Sequence, residues 1–192
     1  GTLGGATFMN ARCYDVAISD VLVQVEYGQF SVNENEQWSA SLKTYEMNVA
    51  DWDYKVSPFQ KELVQCPVLT VTVKVHPLDE AEFQQMKQKA QAFVADRQQK
   101  GHFSYPSAGS VFKNNRDFGK PSGKIVDEAG LRGLELGGAQ VAPWHGNFII
   151  NRGNASAGDI QQLVQLVQEK VLDKTGFFLE PEIIFLSRSI KI

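Results

Sequence analysis

Between Tyr105 and Asn115 the chain reads YPSAGSVFKNN, two serines, a glycine, a lysine and two asparagines set around Phe112. Little in this stretch calls for burial. Gly109 frees the backbone for a positive φ or for the close approach of a ligand. Ser110 then offers a hydroxyl, with the Lys113 cation and the Asn114 amide a few residues on. Two readings are open from these residues. The loop is a plain connector, or it positions an anionic small molecule and holds one hydroxyl against it. Elsewhere the sequence is sparing with reactive groups. Cys13 and Cys66 are too few and too far apart for a disulfide framework, and no Cys/His cluster has zinc spacing, so no metal is expected.

The elements that would position such a loop follow from pattern. The chain has 192 residues, 43% hydrophobic and 21% charged, enough to bury an ordinary core in one large or two small domains. A net charge of -3 carries no footprint for nucleic acid, and no apolar run is long enough to cross a bilayer. Alternation marks strands at Val21–Tyr27, with a polar turn around Gly28, and at Val68–Val75. Ser39–Glu46 reads as one or two helical turns. Asp79 is an N-cap candidate for a helix to about Gln99, with Phe83, Met86, Ala90 and Phe93 on its inner face and Gly101 ending it. A short helix is expected at Gly123–Ala129 and a strand at Asn147–Asn151. Asp159–Lys174 has the stripe Ile160, Leu163, Val164, Val167, Val171 of an amphipathic helix, closed by Gly176. FFLEPEIIFL reads as a strand interrupted by Pro181. The fold class is α+β, with a seam near Gly101–Ser104.

Six segments, GTLGGATFMNA, YKVSPFQ, YPSAGSVFKNN, GKIVDEAGLRGLELGGAQV, HGNFIIN with its following GNAS, and LEPEIIF, occur in an order that resembles the UDP-N-acetylenolpyruvoylglucosamine reductases. The resemblance covers most of the chain and is strongest from Tyr105 to Phe185. It implies the remainder of a two-part FAD-binding domain at 1–103, then a mixed α/β substrate-binding domain at 104–192, with 177–192 a strand returning toward the first part. The opening GTLGGATFMN lacks an initiator methionine, and the family's pyrophosphate-holding segment lies upstream of it, so a fragment is expected. The short run from Val75 to Ser104 matches the compact subtype.

The family's reaction reduces an enolpyruvyl ether to a lactyl ether with FAD and NADPH, in cytoplasmic peptidoglycan synthesis. Hydride adds at the terminal vinyl carbon, charge spreads over the α-carbon and carboxylate, and a proton must reach the α-carbon. The resemblance makes Ser110 the proton donor; a hydroxyl is a weak acid and needs a neighbour such as Lys113. Glu182, rather than Glu180, resembles the carboxylate that assists the enediolate. Lys55 stands where the family has an arginine that pairs with the substrate carboxylate, and it lacks the bidentate fork. Asn114 resembles the diphosphate ligand, with Lys113, Tyr105 and His145 completing the substrate set. Gly4, Gly5, Ala6 and Asn10 resemble the segment against the flavin. Arg12, Cys13 and Asp15 depart from the small residues usual there. The implied partner is UDP-N-acetylglucosamine-enolpyruvate, and the implied state a monomer free of nucleic acid and membrane. The alternative is a UDP-sugar-binding module that has lost redox chemistry.

Overall fold

The computed structural model describes residues 1–186 and divides the chain into two compact units, the first Gly1–Leu78 and the second beginning at Asp79. The first opens with α1 (Leu3–Phe8), where the sequence suggests only a glycine turn. Thr2 Oγ1 caps it by accepting from Gly5 N at 3.0 Å. A Cβ built on Gly4 would meet Val68 Cβ at 3.5 Å, so this glycine lies against the third strand of the sheet that follows. Two short strands, β1 (Arg12–Cys13) and β2 (Val16–Ala17), make a hairpin. Arg12 staples its turn by donating to the carbonyls of Tyr14 and Asp15. That local bonding gives Arg12, one of the residues that depart from the family pattern, a role in the turn.

Three antiparallel strands follow: β3 (Leu22–Val32), β4 (Trp38–Glu46) and β5 (Val68–Val73), in the order β4-β3-β5. Two expectations are corrected here. Gly28 continues β3 rather than turning the chain, and Ser39–Glu46 is strand rather than helix. Asn33 turns the chain by accepting at Oδ1 from Asn35 N and Gln37 N. The register then runs unbroken from Val32↔Trp38 to Gln24↔Glu46, and cross-strand pairing outweighs a weak local preference. Leu22, Val25, Trp52 and Phe59 form the buried centre.

The second unit begins with α2 (Glu80–Gln99), whose Asp79 and Glu82 form a reciprocal capping box. The helix is where the pattern puts it, but the inner face is not. No residue of α2 is buried, and Phe83 and Met86 are 49% and 54% exposed. Its cap and its i,i+4 polar pairs, Gln84 to Glu80 and Lys100 to Asp96, supply local support. Beyond it lie β6 (Ser107–Ser110), α3 (Ser122–Glu128), β7 (Glu135–Leu136), β8 (Ala139–Val141), β9 (Phe148–Asn151) and α4 (Ala157–Thr175). The antiparallel sheet has the order β6-β9-β8-β7. Leu163, Val164, Val167 and Val171 of α4 bury their stripe against Val141, Ile149, Ile125 and Leu179. Gly176, at φ 74, ends α4 in the left-handed conformation.

The expected C-terminal strand is reduced to one bridge, Phe112↔Pro181. Lys113 N donates to Glu180 O at 2.9 Å and Glu182 N to Val111 O at 2.7 Å on either side of it. Between these bonds Phe112 and Pro181 are a non-hydrogen-bonded pair, so the missing N–H of the proline costs this bridge nothing. The end of the expected returning strand, 187–192, lies outside the described residues. No helix among the described residues is long and apolar enough to cross a membrane.

Candidate active site

Ser110 ends β6 opposite Phe148 of β9, exposed at the edge of a pocket of about 220 Å³. Gly109 before it has φ +83, and a Cβ there would meet nothing within 4 Å, so conformation rather than space calls for glycine. The residues after Ser110 are pinned from one residue. Buried Asn147 donates from Nδ2 to Phe112 O at 2.9 Å and accepts at Oδ1 from Phe112 N at 2.8 Å. Its carbonyl accepts from Val111 N at 2.9 Å. Val111 and Phe112 are themselves core residues. A flexible-looking loop is therefore fixed directly beneath its serine.

Asn114 and His145 line the same pocket, so three expected site residues are brought together. Asn114 Oδ1 accepts from Ser122 N at 2.9 Å and so tethers the start of α3. The other walls lie outside the set of site residues expected from the sequence: Lys124 and Asp127 of α3, and Arg132 and Asn147 beyond it. Arg132 Nε and Nη2 grip the two Asp127 oxygens. These hydrogen bonds hold the Asp127 carboxyl below its ordinary range, against the opposing effect of burial. A hydroxyl, an amide and the Lys124 cation around one pocket suit an anionic ligand, while the Arg132 charge is paired with Asp127. The signal readable in the sequence is glycine spacing. A Cβ on Gly123 would meet His145 Cε1 at 3.2 Å, and one on Gly146 would lie 2.5 Å from Gly123 O. These two glycines let the 145–147 loop lie on α3.

Two other candidates stand apart from the pocket walls. Lys113 directs its Nζ to Glu180 Oε1 at 2.6 Å, the glutamate that the family motif passes over in favour of Glu182. Tyr105 stacks on Trp144, ring centroids 5.9 Å apart. Glu182 is half-buried, its backbone paired with Val111, the residue after Ser110. His145 is half-buried too, and burial is the largest influence lowering its proton affinity, with Asp127 opposing. Among the described residues no group of three or more His, Cys, Asp or Glu is arranged to hold a metal ion.

In the first unit, hydrogen bonds join the remaining candidates. Lys55 sits at φ 59 in the turn between Asp53 and Val56, which exchange backbone bonds. Phe8 O, at the end of α1, accepts from Ser57 Oγ and Gln60 Nε2, each at 2.6 Å. Gln60 Nε2 also donates to Lys55 O. Asn10, buried at φ 40, donates from Nδ2 to Asp53 O at 2.8 Å and accepts at Oδ1 from Ser19 N. Both ends of its amide thus serve the fold. The helix bearing Gly4, Gly5 and Ala6 and the turn bearing Lys55 form one linked assembly.

Residues 99–186 match the family model described as UDP-N-acetylenolpyruvoylglucosamine reductase, C-terminal domain. A protein named UDP-N-acetylenolpyruvoylglucosamine reductase from Treponema denticola is 52% identical over 189 residues, covering 96% of this chain and 57% of its own length. The chain belongs to the UDP-N-acetylenolpyruvoylglucosamine reductase family. A reductase of the same name from Treponema pallidum is 40% identical, matching 100% of this chain and 62% of its own. The crystal structure of the reductase from Thermus caldophilus matches 94% of this chain and 58% of its own, with a TM-score of 0.67 at 29% identity. The chain thus spans about three-fifths of the length of these reductases. The α+β architecture expected from the sequence is the one shared with that structure.

Proposed function

We propose that the protein reduces the enolpyruvyl ether of UDP-N-acetylglucosamine-enolpyruvate to UDP-N-acetylmuramate with NADPH, as a cytoplasmic, monomeric enzyme of peptidoglycan precursor synthesis. In this reading residues 1–103 contribute to FAD binding and 104–192 bind substrate. The observation that carries it is Ser110, held at the rim of a cation-bearing pocket by the three bonds of Asn147. A vinyl carboxylate gaining hydride at its terminal carbon needs a proton at the α-carbon, and a fixed hydroxyl supplies it. Solvent then restores the serine proton.

The remaining residues divide the charge. Lys124 faces the pocket and complements the substrate's phosphates together with the Asn114 amide, while Arg132 is held in the wall by Asp127. Glu182, fixed beside Val111, assists the enediolate. Lys55 pairs with the substrate carboxylate from its constrained turn, as a point charge without the fork of an arginine. FAD, when bound, supplies the hydride. The residues present suit it on α1: a Cβ on Gly5 would meet only Thr2 Oγ1, at 3.3 Å, so internal packing does not account for the bare backbone there. Gly4, Gly5, Ala6 and the Asn10 turn would hold that side of the cofactor.

The test is substrate-dependent NADPH oxidation by the FAD-loaded protein expressed from its complete gene, alongside calorimetric binding of the UDP-sugar. Turnover to the lactyl ether supports the reductase. Binding without turnover would instead make this the redox-silent UDP-sugar module.

A further inference from the structure

We propose that His145 is a positioning residue for Ser110, acting through a hydrogen bond that its Nδ1 accepts from the Asn147 backbone N–H. The inference rests on the reductase reading for its kinetic arm only. Asn147 N lies 3.1 Å from Nδ1, and the same residue makes all three bonds that fix Val111 and Phe112. His145 therefore fixes the Gly146–Asn147 peptide, immediately before the Asn147 side chain and carbonyl from which the Ser110 segment hangs. The ring is confined in turn, edge-on to Phe148 at 4.8 Å and to His102 at 5.7 Å. A Cβ at Gly123 would touch its Cε1, so α3 closes the other side.

The bond requires a neutral ring with the proton on Nε2, because a protonated imidazole has two donors and no acceptor. Asp127, Lys124 and Arg132 from α3 and the turn after it, and Lys100 and His102 after α2, are the charged and titratable groups around the pocket and the ring. Burial lowers the ring's proton affinity, as do Arg132 and Lys100, while Asp127 raises it. The neutral acceptor is thus maintained at neutral pH and lost as pH falls through the depressed value.

Side-chain geometry makes the test discriminating. The Asn amide oxygen is bonded to Cγ, as His Nδ1 is, whereas the Gln oxygen lies one carbon further, near the place of Nε2. In the FAD-loaded enzyme, His145→Ala and His145→Gln should lower kcat about ten- to hundredfold with KM within about threefold, the cost of a displaced catalytic group. His145→Asn should restore kcat and remove the acidic limb of the pH profile that this histidine contributes. Amide hydrogen exchange at Asn147, read by NMR at pH 7, should quicken in His145→Ala and return toward wild type in His145→Asn. Restoration by Gln and not by Asn would overturn the proposal and assign the ring a contact through Nε2. Unchanged Asn147 exchange in His145→Ala would also overturn it. Absence of wild-type turnover sinks the reductase reading instead, and the exchange measurement then decides this inference alone.

Discussion

Gly146→Ala tests whether the loop beside Ser110 depends on close approach to α3. A Cβ there would stand 2.5 Å from Gly123 O and 3.0 Å from Val126 Cβ, with the Asp127 carboxylate nearer still. Ordinary contact begins at 3.4 Å, so the loop must retreat by about 1 Å. Neither the Gly123 carbonyl nor Val126, in the helix and the core, can yield as a surface side chain would. Overpacking of this kind costs about 1–3 kcal/mol. For a unit of this size that is a fall in Tm of roughly 4 °C or more per kcal/mol. Retreat also moves Asn147, and with it the Ser110 segment, so kcat should drop about tenfold or more. Thermal unfolding by circular dichroism and steady-state turnover provide the readouts. A Tm within about 1 °C of wild type, roughly 0.2 kcal/mol, would refute the steric reasoning.

Four further outcomes are expected. Gly158→Ala, inside α4 with only Ser156 Oγ near at 3.6 Å, should stabilise by about 0.5–1 kcal/mol in denaturant melts. Asn147→Ala leaves the buried Phe112 N–H and C=O without partners and should cost about 2–5 kcal/mol by the same melts. Glu180→Gln breaks the Lys113 pair, but with Glu180 66% exposed the melts should change by less than about 1 kcal/mol, whereas Glu182→Gln should lower turnover. Asp127 has a carboxyl held below its ordinary value of 3.8 by Arg132, so its stabilisation is present above that value and lost as pH falls through the depressed one. Asp127→Asn should therefore be less stable than wild type at pH 7, with the gap closing in acid below pH 3.8.

The parts of the fold legible in the sequence are those whose signal is local. The Asp79–Glu82 box starts α2 where the pattern puts it, and Gly176 closes α4 as expected, although that helix begins at Ala157 under a Ser156–Asp159 box rather than at Asp159. β4 escapes a local reading because its pairing with β3 depends on residues such as Phe30 and Val32 across the Asn33 turn, which propensity cannot see. Pro181 is legible as an interruption, yet the sequence does not show that pairing shrinks to one bridge with Phe112, a residue some seventy positions away. In the site, Ser110, Asn114 and His145 line one pocket. The Arg132–Asp127 pair is hidden in the sequence because four residues, left-handed Gly130 among them, lie between the two, while the helix end folds them together. Asn147 looks like the start of a strand; its role exists only through bonds to a segment thirty-five residues away.

The central claim, that Ser110 protonates the reduced substrate, is tested most directly by single-turnover kinetics of Ser110→Ala in the FAD-loaded enzyme. Stopped-flow absorbance follows two half-reactions, consumption of NADPH and then reduction of UDP-N-acetylglucosamine-enolpyruvate. Only the second requires an acid at the α-carbon. NADPH consumption should stay within about twofold of wild type while substrate reduction slows by about 10²–10⁴-fold, the usual worth of a positioned acid. Equal slowing of both half-reactions, or an unchanged second one, would contradict that claim.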